Sequence, residues 1–150
     1  MRPELFQAAV DTLLTAIRVE FARGTSAACR RTAHLLHSID TTISTEPVQP
    51  MSSHDTPCCL PDSILELLQT VSPVPTVTGI AALTQDLQWH VSARSHTLYS
   101  QLIGPTGLIK HQSFRVGLFA LMPDIDYADH AHPADEVYIV LAGSGSWSLD

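Results

Sequence analysis

The chain has 150 residues, of which 45% are hydrophobic and 15% charged, a composition typical of globular proteins and unlike that of disordered ones. The formal net charge of −7, from 8 Lys and Arg against 15 Asp and Glu, disfavours nucleic acid as a partner, because phosphate binding requires a basic surface. No apolar run is long enough to span a bilayer, and the N-terminus lacks the uninterrupted apolar core of a signal peptide. These features predict a soluble, cytoplasmic protein that binds neither nucleic acid nor membrane.

The first half of the chain, residues 1–72, is predicted to be a helical region. A stripe of apolar residues at helical spacing runs from Phe6 to Phe21. Pro3 suits the first turn of this helix, and Gly24 suits its end. We therefore expect the chain to begin with a long amphipathic helix.

Two further helices are predicted after the first. Thr25 or Ser26 can cap the second, in which Cys29 is expected to be a small core residue. Residues 41–57 are rich in Ser, Thr and Pro, which predicts a linker or a surface loop. A third, short helix is then predicted over about 61–71 and ends at a Pro- and Gly-containing run.

The three cysteines, Cys29, Cys58 and Cys59, are odd in number and irregular in spacing, so they do not describe a disulfide framework. His54 together with Cys58 and Cys59 matches no zinc-ligand spacing. A reduced pair in a loop is the interpretation we favour.

The second half, residues 86–150, changes to the periodicity of strands. Leu87, Trp89 and Val91 alternate with polar residues, which predicts a half-buried strand. Further strands, each bounded by turn residues, are predicted at Leu98–Ile103, Phe114–Leu121, Val137–Ala142 and Ser146–Leu149. The expected fold is α+β and mainly β, with N-terminal helices followed by an antiparallel barrel or sandwich.

One segment of this half carries a pattern of metal ligands. His130 and His132 are two residues apart, so on an extended strand both imidazoles point to the same face. Pro133 bends the chain, and Glu136 and Tyr138 are again two apart. If the bend turns both pairs inward, two nitrogens and a carboxylate oxygen converge. Such a donor set suits a divalent ion, namely Fe(II), Mn, Ni or Zn.

Three runs of this half also resemble a known family. The run HAHPADEVY at 130–138, followed by IVLAGSGSW, looks like the first conserved motif of cupins. With IGPTG at 103–107 and VGLFALMP at 116–123, it is similar more specifically to the cupin-type dimethylsulfoniopropionate lyases. The resemblance covers roughly residues 98–150 and implies that 86–150 form part of a cupin β-barrel.

The resemblance implies a lyase that cleaves dimethylsulfoniopropionate, a small zwitterion, to dimethyl sulfide and acrylate by β-elimination. His130, His132 and Glu136 match the metal ligands of the family, Tyr138 matches a tyrosine that lies against the metal, and Tyr127 matches a second tyrosine implied in catalysis. The substrate carboxylate would bind the metal, and Tyr138 or Tyr127 would remove the neighbouring hydrogen. Tyr138 is accordingly expected both as a metal ligand and as the base.

The aromatic rings of Trp147 and Phe119 can hold the sulfonium group of such a substrate by cation–π attraction. Core packing is the commoner role for each ring.

The resemblance also implies a second cupin motif that supplies a third histidine, which would lie beyond Trp147, whereas the chain ends at Asp150. We expect the chain to be a fragment, whose own activity the sequence leaves open; a partner that supplies the rest, or a degenerate site, are the alternatives. His111, His90 and His96 can each be considered as a substitute ligand, but each is expected to be a surface or satisfied core histidine.

Two other functions remain open from the sequence. The same cupin motif occurs in dioxygenases and isomerases, from which the substrate and oxygen consumption distinguish a lyase. A non-catalytic sensor or binding module, with the helices forming a homodimer, would have a metal-free or inert pocket. The helices carry no basic recognition face, which disfavours a DNA-binding regulator.

Overall fold

The structure is a computed structural model of the chain that describes residues 2–71, 76, 79–80, 83, 85–125, 127 and 135–146. Its elements, in chain order, are α1 Pro3–Arg23, α2 Ala27–Ser38, β1 Thr56–Cys58, α3 Asp62–Thr70, β2 Trp89–Val91, β3 Leu98–Ile103 and β4 Val116–Ala120. The strands form one antiparallel sheet in the order β1-β2-β3-β4, which is not closed within the described residues. The α+β class is confirmed. Helices α1 and α2 precede the sheet as predicted, but β1 comes before α3 in the chain. The cupin barrel stays a prediction.

Helix α1 begins with Pro3 in its first turn and ends before Gly24, as predicted. The backbone of Gly24 is extended, with φ −67°, and so it does not adopt the left-handed conformation common after helices. A Cβ at this position would lie 2.5 Å from the Cys29 Sγ atom. Glycine is needed here because α2 begins so close to the end of α1.

Helix α2 is capped by Ser26, whose Oγ accepts a hydrogen bond of 3.0 Å from the Cys29 amide. This contact decides between the two predicted caps. Cys29 is half-buried rather than fully buried. Leu36 is the buried residue of α2 and joins the core.

Strand β3 is the centre of the sheet, because all six of its residues are buried and it pairs with β2 on one side and β4 on the other. Its predicted bounds are confirmed. Gly104 follows with φ +148°, a conformation that side chains rarely adopt, which explains a glycine at this turn. The Gln101 Oε1 atom accepts hydrogen bonds from the Thr106 amide and hydroxyl and holds the turn in place.

The segment 41–57 was predicted as a linker or loop, and most of it lacks regular structure. It is nevertheless attached to the turn after β3. The Ser44 amide donates to the Leu108 carbonyl at 2.8 Å, and the Gln49 amide donates to the Thr106 carbonyl at 3.1 Å. The segment is therefore a loop that backbone hydrogen bonds hold against the turn after β3.

The end of this segment forms β1, which the sequence analysis did not predict. Only three residues pair with β2, too few for an alternating pattern to show. Pro57 is tolerated because β1 is an edge strand, where a missing amide hydrogen interrupts no ladder between two neighbours.

Two predictions about strands are wrong. Val137–Ala142 is not a strand, and Tyr138 within it is 46% exposed. A run of apolar residues does not by itself make a strand, which needs a hydrogen-bonded neighbour, and within the described residues β4 pairs only with β3. The strand around Trp89 was also predicted to be half-buried, but Trp89 and the polar His90 that follows it are both buried, at 4% and 2% exposed. The strand predicted at 146–149 lies outside the described residues apart from Ser146.

The buried apolar residues form one cluster to which both halves of the chain contribute. Its members include Val10, Leu13 and Ile17 of α1 with Leu98, Leu102 and Ile103 of β3. The division of the chain into regions 1–72 and 86–150 stays a prediction. In the ranges that the structure describes, no helix is both long and apolar enough to cross a membrane.

Candidate functional site

Glu136 and Tyr138 are in direct contact. The Tyr138 hydroxyl donates a hydrogen bond of 2.7 Å to the Glu136 Oε2 atom. Their side chains thus lie on the same side of the segment, as the two-residue spacing predicts. Both side chains are exposed, so a solute can reach this pair of oxygens.

Tyr127 belongs to the same neighbourhood. Its ring packs edge-to-face on Phe119 of β4, with ring centroids 5.3 Å apart. Burial raises the pKa of Tyr127, and the Glu136 charge raises it further. The structure therefore brings Tyr127, Glu136 and Tyr138 close enough to interact, together with Phe119.

The pKa values of Tyr127 and Tyr138 are both raised, so both hydroxyls are protonated at neutral pH. The pKa of Tyr138 is raised by burial, by the hydrogen bond to Glu136 and by the charges of Glu136 and Tyr127. The anion of either phenol would lie near the Glu136 carboxylate, and like charges disfavour it. Neither is a base at neutral pH unless a positive charge offsets that carboxylate.

The histidines of the predicted metal site, His130 and His132, lie outside the described residues, so whether they meet Glu136 stays a prediction. Among the described residues, no group of three or more His, Cys, Asp or Glu is placed to hold a metal ion. Glu136 and Tyr138 do offer a carboxylate and a phenol oxygen on one side of the chain. Such oxygens suit a divalent ion completed by imidazoles.

The histidines considered as substitute ligands are placed differently from one another. His111 accepts a hydrogen bond of 3.0 Å from the Phe114 amide at Nδ1, so it supports the turn before β4. His96 lies in the turn between β2 and β3 with φ +53°. His90 is buried in β2, and its Nδ1 has no hydrogen-bond partner in the described part of the chain. The expectation of a satisfied histidine thus agrees with the structure at His111 and fails at His90.

The cysteines are free thiols, as predicted, but Cys58 lies in strand β1 rather than in a loop. Burial, together with the neighbouring Cys59, raises the pKa of the Cys58 thiol. A raised pKa makes Cys58 a poorer nucleophile and a poorer metal ligand.

One ion pair near the site was missed by the sequence analysis. The Arg31 guanidinium on α2 contacts the Asp135 carboxylate at 2.6 Å, next to Glu136. The two residues are 104 apart in the chain, so no local pattern indicates their contact. It joins the segment that contains the predicted carboxylate ligand to the helical region.

A family model described as dimethylsulfoniopropionate lyase matches residues 22–150. Neither a curated protein nor a solved structure gave a significant match. The matched range includes α2, the whole sheet and the contact between Glu136 and Tyr138. The chain therefore belongs to the dimethylsulfoniopropionate lyase family.

Proposed function

We propose that the chain is a metal-dependent lyase that cleaves dimethylsulfoniopropionate to dimethyl sulfide and acrylate by β-elimination. The observation that carries the proposal is the contact of Tyr138 with Glu136, beside Tyr127, in a chain whose family model is that of these lyases. The family match favours the lyase over a cupin dioxygenase or isomerase and over an inert sensor module.

The proposed metal ligands are His130, His132, Glu136 and Tyr138, and the ion is Fe(II), Mn, Ni or Zn. When bound, such an ion supplies positive charge that withdraws electrons from the substrate carboxylate and acidifies the adjacent C–H. The Glu136 and Tyr138 oxygens fit this role because they lie 2.7 Å apart on one side of the chain and are exposed.

Tyr138 is the proposed base. Its phenolate oxygen takes the proton from the carbon next to the carboxylate, and the released electron pair forms the C=C bond of acrylate. The C–S bond breaks at the same time, and dimethyl sulfide leaves with that bond's electrons. Burial and the Glu136 carboxylate raise the pKa of Tyr138, so a bound cation that offsets this carboxylate would favour the phenolate.

Tyr127 is the proposed second phenol of the site. It lies near the Glu136 charge and packs on Phe119, which fixes the plane of its ring. From there it can donate a hydrogen bond to the substrate carboxylate or return the proton taken by Tyr138.

Phe119 is the proposed contact for the sulfonium group. It is 41% exposed although it lies on a strand, and its ring is beside that of Tyr127, so a substrate at this site can reach it. A cation over an aromatic face gains roughly 0.5–1 kcal/mol when exposed and about 2 when desolvated. Such a contact selects a positively charged leaving group over a neutral sulfide.

The direct test measures dimethyl sulfide and acrylate after dimethylsulfoniopropionate is added to the chain loaded with each of the four metals. We expect both products in equal amounts, and their loss on chelation of the metal. Glu136→Gln, which keeps the size of the side chain but removes its charge, should lower both metal affinity and product release. Failure of every metal-loaded form to release dimethyl sulfide would contradict the proposal.

A further inference from the structure

A second cluster of titratable side chains lies in the sheet and has no part in the proposed reaction. Asp55, just before β1, accepts three hydrogen bonds: from the Tyr99 hydroxyl at 2.8 Å, the Ser52 amide at 3.1 Å and the Ala93 amide at 3.0 Å. The Tyr99 hydroxyl in turn accepts one of 2.8 Å from the Met51 amide. These bonds join residues 51–55 to β3 and to the turn after β2.

His90 completes this cluster from β2. It is directly opposite Tyr99 in the antiparallel pairing, and the two rings stack with centroids 5.4 Å apart. His90 is 2% exposed and its Nδ1 has no hydrogen-bond partner in the described part of the chain. A second proton on this ring would place a buried positive charge where water cannot solvate it.

The folded structure lowers the pKa values of His90 and Asp55 and raises that of Tyr99. Burial lowers the pKa of His90 more than the Asp55 charge raises it. Burial alone raises the pKa of Asp55, but the bonds from Ala93, Tyr99 and Ser52, with the attraction to His90, lower it overall. Burial and Asp55 also raise the pKa of Tyr99 to about 12, and Cys58 of β1 adds to this, so the phenol stays a donor.

Because the pKa values of His90 and Asp55 are lower in the folded state, acidification destabilises the folded cluster. For His90 the stabilisation is complete above its ordinary pKa of 6.5 and is lost as the pH falls below that value. For Asp55 the loss begins below its ordinary value of 3.8 and continues through the lowered one. Acidification therefore weakens the cluster first through His90 and then through Asp55.

Apart from the cluster, the contacts of residues 51–58 that the structure describes are a short strand pairing and the packing of Cys58 on the core. Among the residues that the structure describes, strand β1 pairs only with β2, and it is three residues long, with Pro57 in the middle. The apolar core is built mainly from α1 and β3, and Cys58 is the member of β1 that packs against it. A short edge strand held by polar contacts is the kind of segment that opens below the free energy of global unfolding.

We propose that Asp55, Tyr99 and His90 form an acid-sensitive latch, which releases residues 51–58 from the sheet on acidification while the helices and β3 remain folded. The latch is independent of the proposed lyase function, because it uses none of the residues of that site. Through this latch, the opening of the β1 edge of the sheet depends on pH.

The test uses Trp89, which is 4% exposed and pairs with Cys58 of β1, as a reporter of release. The chain has two tryptophans, so Trp147→Phe leaves Trp89 as the only one. We expect the Trp89 emission to shift to the red as the pH falls below 6.5, at a higher pH than the loss of the helical circular dichroism signal. A single transition in both signals would overturn the proposal.

His90→Phe keeps a ring stacked on Tyr99 but removes the titrating group, so the midpoint of release should fall by about one pH unit or more. His54→Gln is the matched control, because His54 lies on the same segment and is exposed. An unchanged midpoint in His90→Phe, or an equal change in His54→Gln, contradicts the latch.

A measurement on the unmodified chain covers the case in which a variant does not fold. Amide hydrogen exchange, corrected for the intrinsic effect of pH, should lose protection at Met51 and Ala93 on acidification. Protection at Ile109, whose amide bonds the Leu102 carbonyl at 2.9 Å in the core turn, should persist. Equal loss at all three amides means global unfolding and refutes a local latch.

Discussion

Two tyrosines in the described part of the chain, Tyr99 and Tyr138, each donate a hydroxyl hydrogen bond to a carboxylate, in two different surroundings. Tyr99 donates to Asp55 at 2.8 Å and is 4% exposed, whereas Tyr138 donates to Glu136 at 2.7 Å and is 46% exposed. The first carboxylate is also bonded by two backbone amides and links distant parts of the chain. The second joins residues two apart and faces solvent.

This difference separates a structural contact from a candidate reactive one. A buried, fully bonded phenol cannot change its partner without a cost of about 1–3 kcal/mol for each group left unsatisfied. An exposed phenol can exchange its carboxylate for a cation or a substrate at little cost. Geometry at a single pair does not distinguish the two, but burial and the number of additional bonds do.

The largest expected effect is on catalysis. Tyr138→Phe should reduce dimethyl sulfide release by about 100-fold to 10,000-fold, the range typical of a lost general base, while the free energy of unfolding changes by less than about 0.5 kcal/mol. The matched control is Tyr99→Phe, which removes the same hydroxyl from the buried contact. Equal rates in Tyr138→Phe and the unmodified chain would show that Tyr138 is not the base.

The next effect concerns the pKa of the exposed phenol. Binding of a divalent ion at Glu136 should lower the pKa of Tyr138 by roughly 1–3 units, because an opposite charge favours the phenolate. Phenolate absorbance would then appear at lower pH, and the rate of elimination would rise with pH through the lowered value. The shift should vanish in Tyr138→Phe and remain in Tyr99→Phe, as followed by ultraviolet titration with and without zinc.

The buried contact should govern stability instead. Tyr99→Phe leaves the Met51 amide and an Asp55 oxygen without their partner, and we expect a loss of about 1–3 kcal/mol in the free energy of unfolding. Urea denaturation followed by circular dichroism measures this loss. A change as small as that of Tyr138→Phe would remove the distinction drawn between the two contacts.

The smallest effect is expected at the exposed ion pair of Arg31 and Asp135, whose side chains are 59% and 76% exposed. Such pairs contribute about 0.2–1 kcal/mol. A double-mutant cycle with Arg31→Gln and Asp135→Asn should give a coupling energy in that range, and it should decrease at high salt. A coupling well above this range would mean that the pair is a principal anchor of the Glu136 segment.

Local patterns predicted much of this fold and part of its candidate site. The bounds of α1 and β3 follow from helical spacing, a first-turn proline and turn glycines, all of which act within a few residues. The shared side of Glu136 and Tyr138 follows from their spacing of two. The roles of His130 and His132, and the catalytic roles of both tyrosines, stay predictions.

By itself, then, the sequence determined the class of fold, most of its elements and the family motif, because each is written in neighbouring residues. Only the tertiary structure decided that Thr56–Cys58 pairs with β2, that His90 is buried and that Asp55 meets Tyr99 across 44 residues. It also decided that Val137–Ala142 is not a strand. Strand pairing and burial depend on which distant segments come together, and that information is not contained in the local pattern.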